Sequence, residues 1–340
     1  MQFVACSAGV FICYLAYGIL LEKITSAWKQ SGGIHLGWFL TFFQCTCYFI
    51  LGSAQMTLFP AKEREKSVAT MSHHDKKEVM PFRGYFAIGT LSMLTIGLSN
   101  VSTEYLSYPT QVLFKSAKPL AVMLLSLFIL KKRYSLMECA ATLLFTFGLM
   151  AFSAADKSVS AASRPLGIVI ICTALLVDGI IGNVQQKMFK MYACSINMML
   201  VKTKAVGALW TFFISLATGQ FSLAFAYTAE KPAIFLWMIL FSTAGFFGEA
   251  FVLALIKQFG ALVTVMTTSF RKLLTILISF MLFPKPWVLG HAAGVAMVFS
   301  GIFLNIYVKN KAVLQRWLAR QAGRKEKAER SSDDDDDDIV

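Results

Sequence analysis

Ten stretches of about twenty apolar residues recur along this chain, and that recurrence constrains it more than any other feature. They run roughly over 3–21, 36–59, 84–102, 108–130, 134–153, 166–186, 197–218, 233–255, 260–283 and 287–308. A helix needs about 20 such residues to cross the ~30 Å hydrocarbon core of a bilayer. Together the stretches take up most of the 340 residues and leave short loops and one tail, with no room for a separate soluble domain. Composition agrees: 56% of residues are hydrophobic, 15% are charged and the mean hydropathy is +0.62. A soluble domain carries about 25% charged residues. The expected fold class is an all-α polytopic membrane protein with ten transmembrane helices. The first stretch is long enough to span and reads as a retained helix rather than a cleaved signal.

The net charge of +13 would suggest nucleic acid in a soluble protein. Here its distribution points to orientation instead. Gaps on the same side as the C-terminus carry 20 Lys and Arg, and the opposite gaps carry 6. Cytosolic loops collect the positive charge, so both termini are expected in the cytosol. Nucleic acid is not an expected partner; the bilayer is. The seven cysteines (Cys6, Cys13, Cys45, Cys47, Cys139, Cys172, Cys194) form no CxxC pair and read as small core residues. The adjacent His73 and His74 do not make a metal site. No nucleophile–base pair or metal cluster lies in a loop, so no enzyme, catalytic residue, metal or cofactor is expected.

Spans four and five echo spans nine and ten. Thr110 to Leu120 aligns with Thr264 to Leu274 at a constant offset, pairing Lys118 with Lys272. Tyr134, Leu136, Ala140 and Gly148 then match Trp287, Leu289, Ala293 and Gly301. Two halves with an odd number of spans each must run in opposite senses. The expected organisation is therefore two inverted five-helix repeats, 1–153 and 154–308, followed by a tail, 309–340, that is basic and then acidic. In transporters built this way the substrate site lies near the midplane between the halves. The tail's basic part suits anionic lipid, and its Asp333–Asp338 run reads as a solvated acidic segment. Ser331 and Ser332 before that run fit an acid-directed phosphosite.

Six basic residues fall inside spans: Lys115, Lys118, Lys202, Lys204, Arg271 and Lys272. At 1.5 Å per residue, Lys115 and Lys118 lie about 10 and 15 Å in from one face, and Arg271 and Lys272 about 17 Å in from the other. A cation at mid-bilayer costs about 2.5–3.5 kcal/mol on insertion scales. The deep acids are only Asp178 and Glu249, with Glu104 and Glu138 near span ends. Four midplane cations against two acids leave a positive cavity suited to a multivalent anion. Structural ion pairing is the competing explanation. Lys202 and Lys204 lie one to two turns from a cytosolic end, where snorkelling to headgroups is the simpler role and a basic vestibule the other.

Tyr108, Gln111, Lys115 and Lys118 share one helical face. An aromatic, an amide and two ammoniums suit a nucleotide. Pro119 should loosen the backbone there and form a hinge. Asn183 and Gln186 in span six, and Tyr14 and Tyr17 in span one with Gln44 in span two, are further nucleoside candidates. Packing is the competing role for all five, as it is for Gly179 and Gly182.

Four segments carry a family resemblance: Tyr108–Lys118, Asp178–Gln185, Phe251–Ala261 and Thr267–Leu277. They resemble the nucleotide-sugar transporter superfamily (solute carrier 35, subfamily B). Within it they are most similar to the adenosine 3′-phospho 5′-phosphosulfate (PAPS) transporters, the second of the two animal types. The resemblance implies a drug/metabolite-transporter fold in the Golgi membrane. It implies import of cytosolic PAPS for lumenal sulfation, in exchange for a lumenal adenine nucleotide. It also implies that Lys115, Lys118, Arg271 and Lys272 bind phosphate and sulfate. Lys202 and Lys204 and the aspartate run depart from the family pattern. Exchange of ATP for ADP, or of a UDP-sugar, remains an alternative cargo. So does a non-transporting scaffold or receptor whose intramembrane charges are structural pairs. A homodimer is compatible with either class.

Overall fold

In the computed structural model, residues 2–30, 36–58, 80–106, 108–155, 165–282 and 289–308 are described. Every described element is a helix. They are α1 (Gln2–Gln30), α2 (Gly37–Leu58), α3 (Phe82–Tyr105), α4 (Tyr108–Lys115), α5 (Lys118–Ile129), α6 (Leu136–Ala154), α7 (Pro165–Met191), α8 (Ile196–Ala217), α9 (Gln220–Glu230), α10 (Pro232–Phe259), α11 (Ala261–Leu282) and α12 (Leu289–Val308). Six have the length and apolarity to cross a bilayer: α1 over Gln2–Leu21, and α6, α7, α8, α10 and α12. Their outward faces are apolar, with Ile12 70%, Val169 62% and Phe303 70% exposed. Serine, threonine and amide side chains such as Thr142, Ser242, Asn183 and Gln111 are turned inward. That arrangement fits lipid as the solvent, and the chain is a multi-pass membrane protein. The tail with Ser331, Ser332 and Asp333–Asp338, and the loop with His73 and His74, lie outside the described residues.

Two differences from the sequence expectation stand out. The fourth stretch is two helices, α4 and α5, broken at Ser116 and Ala117. Their amides donate to the carbonyls of Leu113 (3.1 Å) and Phe114 (3.0 Å), a tightened turn. Pro119 then supplies no N–H to continue the ladder. The stretch between spans seven and eight, expected as a loop, holds α9. It follows Gly219, whose φ of 68° turns the chain in a conformation that favours glycine. Gln220 at its start accepts hydrogen bonds from the Trp38 (3.0 Å) and Phe39 (3.4 Å) amides at the beginning of α2. Tyr227 near its end donates to the Ala27 carbonyl (3.1 Å). At 11 residues α9 is too short to span and packs on its neighbours.

The chain divides into two compact units, Met1–Lys132 with Asp156–Pro286, and Arg133–Ala155 with Trp287–Val340. In the larger unit α1 lies along α10, α2 along α8, and α3 and α5 along α7. Tyr48, Tyr85, Met199, Leu200 and Phe246 form its main apolar core.

The smaller unit pairs α6 with α12. Ser135 and Glu138 form a capping box at the start of α6, with Glu138 N–H donating to Ser135 Oγ (3.2 Å) and Ser135 N–H donating to Glu138 Oε2 (3.0 Å). The two helices meet backbone to backbone. A Cβ on Gly148 would lie 2.7 Å from the Val298 nitrogen and 2.8 Å from the Gly294 carbonyl oxygen. A Cβ on Gly301 would lie 2.7 Å from the Phe145 nitrogen and 2.8 Å from the Ala141 carbonyl oxygen. Gly148→Ala and Gly301→Ala should each destabilise the purified protein by about 1–3 kcal/mol. Gly18→Ala should change nothing, because nothing lies within 4 Å of that position. Thermal unfolding in detergent separates the three variants. Equal midpoints for all three would contradict the close packing of α6 on α12.

Candidate functional site

The polar side chains of α7 position the helices that carry the cations. Gly179 lets α5 approach closely, since a Cβ there would be 2.8 Å from Leu125 Cδ1. Asn183 is fully buried, and its Nδ2 donates to the Val122 carbonyl of α5 (2.9 Å) and to the Gly179 carbonyl (3.0 Å). One turn on, Gln186 Oε1 accepts from the Ala261 amide (2.9 Å) and so caps the start of α11. Gly260 just before it has a φ of 90°, and a Cβ there would meet the Gln186 amide at 2.9 Å. One helix thus holds both α5, with Lys118, and α11, with Arg271.

The charges are placed on this frame. Lys118, the first residue of α5, puts Nζ 2.6 Å from Asp178 Oδ2, with the two side chains 30% and 33% exposed. Lys115 ends α4, half-buried. Arg271 lies over the Tyr14 ring, 5.0 Å from its centroid, an attraction worth about 0.5–2 kcal/mol. The side chains of Lys272, Tyr108 and Glu104 lie outside the described residues.

A second polar cluster continues from Tyr14. Its ring packs edge-on to Tyr17 at 5.7 Å, and Tyr17 stacks on Phe241 at 4.2 Å. Gln44 Nε2 donates to the hydroxyls of Tyr48 (2.7 Å) and Tyr17 (3.5 Å). Lys204 Nζ lies over the Tyr48 ring (5.3 Å) and 2.8 Å from Glu249 Oε1. Two glycines of α10 make the room. A Cβ at Gly245 would collide with the Tyr48 hydroxyl, and one at Gly248 would lie 3.0 Å from the Tyr14 ring.

Several sequence candidates therefore have internal partners. Gln111 is buried, and its Nε2 donates to the Ser99 carbonyl (2.7 Å) and Ser102 Oγ (2.6 Å), tying α4 to α3. Gln111, Asn183 and Gln186 all serve neighbouring helices. Snorkelling does not describe Lys204, which turns inward to Glu249, or Lys202, which lies over the Tyr85 ring at 4.7 Å. The Glu249 carboxylate and the buried Tyr48 ring draw Lys204 inward, and the buried Tyr85 ring draws Lys202. Tyr48 and Lys257 were not among the sequence candidates. Tyr48 shares a helical face with Gln44, which could have flagged it. Lys257 lies beyond the 233–255 stretch, but α10 runs to Phe259, and Lys257 Nζ donates to the Cys194 carbonyl (3.2 Å).

The family model described as the UAA transporter family matches residues 2–309. The chain belongs to the UAA transporter family. It is thus a transporter and not an enzyme. Among curated relatives of this UAA-family transporter, "Adenosine 3'-phospho 5'-phosphosulfate transporter 2" of Homo sapiens is 38% identical over 310 residues, covering 91% of this chain and 73% of the relative. The Caenorhabditis elegans protein of the same name is 35% identical over 328 residues, covering 95% and 85%. A solved structure described only as "Crystal structure of protein" superposes with a TM-score of 0.61 over 91% of this chain and 99% of its own, at 12% identity. That likeness concerns the fold alone.

Proposed function

We propose that this UAA-family transporter is a Golgi antiporter. It moves adenosine 3′-phospho 5′-phosphosulfate (PAPS) from the cytosol into the lumen, for sulfation, in exchange for a lumenal adenine nucleotide. The observation that carries this is the run of relatives named PAPS transporter 2, aligned over more than nine-tenths of the chain. The chemistry of the helices is consistent with it. Lys115, Lys118, Arg271 and Lys272 bind the phosphate and sulfate groups. The nucleoside is left to Tyr14, Tyr17 and Tyr108, because the amides of Gln111, Asn183 and Gln186 hold helices in place.

The transporter is built from two inverted five-span repeats, 1–153 and 154–308, ten spans in all, with both termini and the 309–340 tail in the cytosol. Helix contacts support the repeat. Exchanging the first five spans for the last five turns α1–α10 into α7–α3, α3–α8 into α10–α2, and α5–α7 into α11–α1, while α2–α8 and α5–α11 map onto themselves. Within the smaller unit Gly148 and its repeat mate Gly301 make mirrored approaches. Self-association into a homodimer belongs to the same proposal.

Exchange is tested in proteoliposomes. Vesicles preloaded with AMP or adenosine 3′,5′-bisphosphate should take up labelled PAPS at least about tenfold faster than empty vesicles, as alternating access with a locked empty carrier requires. Equal uptake into empty vesicles would contradict antiport.

A further inference from the structure

We infer that Asp178 is the site's internal anion. It holds Lys118 when the carrier is empty and yields it to a substrate phosphate, and that exchange frees the break between α4 and α5. The inference rests on the reading of Lys118 as a phosphate ligand. Two observations carry it.

The first is geometry. Lys118 and Asp178 are 2.6 Å apart yet about one-third exposed, so an incoming anion can reach the ammonium. A partly exposed pair of this kind contributes on the order of 1 kcal/mol. A phosphate with two charges and three acceptor oxygens outcompetes a single carboxylate for one ammonium.

The second is position. Lys118 is the first residue of α5, next to the break at Ser116 and Ala117 and to Pro119. The pair ties the moving end of α5 to α7. Another tie, from Asn183 to the Val122 carbonyl, lies one turn further into α5. Releasing Lys118 from Asp178 therefore loosens the α4–α5 junction and leaves the rest of α5 docked.

The test is Asp178→Asn in proteoliposomes. Wild-type vesicles loaded with labelled nucleotide should release it slowly into nucleotide-free medium and quickly when nucleotide is added outside. The variant should release it into nucleotide-free medium at least about fivefold faster than wild type. Its apparent KM should fall about three- to tenfold, the size expected when a competitor worth about 1 kcal/mol is removed. Wild-type dependence on external nucleotide, or a raised KM, in folded variant protein would overturn the inference. A merely structural pair gives that second result. Asp178→Ser repeats the test if the asparagine variant does not fold.

PAPS and ATP are run in parallel. If wild type exchanges ATP and not PAPS, the cargo reading fails and the inference is judged on ATP. If neither moves, thermal unfolding with inorganic pyrophosphate decides. The variant should be half-stabilised at a lower pyrophosphate concentration than wild type, and equal concentrations overturn the inference.

Discussion

Lys118→Ala and Arg271→Ala should each reduce PAPS uptake by about 30- to 150-fold while folded protein is still recovered. A charge-assisted contact is worth about 2–3 kcal/mol, and 1.4 kcal/mol is tenfold. The two residues act differently. Arg271→Ala removes a cation that lies over the Tyr14 ring. Lys118→Ala leaves Asp178 without its ion-pair partner, which costs stability as well as transport. Adding Asp178→Asn to Lys118→Ala should restore the unfolding midpoint and leave uptake low. Uptake recovering together with the midpoint would mean that Lys118 is a helix pin and not a substrate ligand. Lys118→Arg keeps the charge in a different shape and should retain part of the activity.

Glu249→Ala should destabilise the larger unit by about 3–5 kcal/mol. The Lys204 side chain is only 18% exposed and its ammonium is 2.8 Å from the carboxylate. Truncating the acid leaves that charge on the Tyr48 ring without an anion. Replacing both partners with apolar residues, Lys204→Met with Glu249→Leu, should cost far less, because no buried charge is left. Unfolding midpoints of the single and double variants in detergent measure the difference. A double variant as unstable as Glu249→Ala would show that apolar packing, and not the uncompensated charge, governs this cluster.

The all-helical, multi-pass membrane character was legible in the sequence because the bilayer imposes one rule on every span. Apolar length located several of the helices: α7, α8 and α10 start within two residues of the expected stretches. The break in the fourth stretch was readable from Pro119, since a residue without an N–H must interrupt the ladder. The short helix α9 was missed because an apolar run of 11 residues cannot be told from a loop by span length.

The site was less legible. Depth placed Lys115, Lys118 and Arg271 on helices α4, α5 and α11. It could not say which acid each would meet. Asp178 and Glu249 choose Lys118 and Lys204 through helix contacts between residues 60 and 45 positions apart. Amides are the harder case. Gln111, Asn183 and Gln186 have the chemistry to read a nucleoside. The same chemistry satisfies the backbone where helices are broken or begin, and in the structure the backbone takes it. Lys202 and Lys204 were misread for a related reason. A long cationic side chain near a span end can reach either way, and the buried rings of Tyr85 and Tyr48 turn both inward.

The cargo is the central claim, and direct comparison of uptake tests it most simply. Purified protein in vesicles preloaded with an adenine nucleotide would be offered labelled PAPS, ATP or a UDP-sugar at equal concentration. PAPS and ATP carry similar charge, so the cations alone do not separate them, whereas a UDP-sugar carries about half as much. PAPS taken up in preference to both is the predicted result. Uptake of ATP or the UDP-sugar without PAPS would contradict it, leaving the fold and the cation frame of α5, α7 and α11 in place for a different nucleotide.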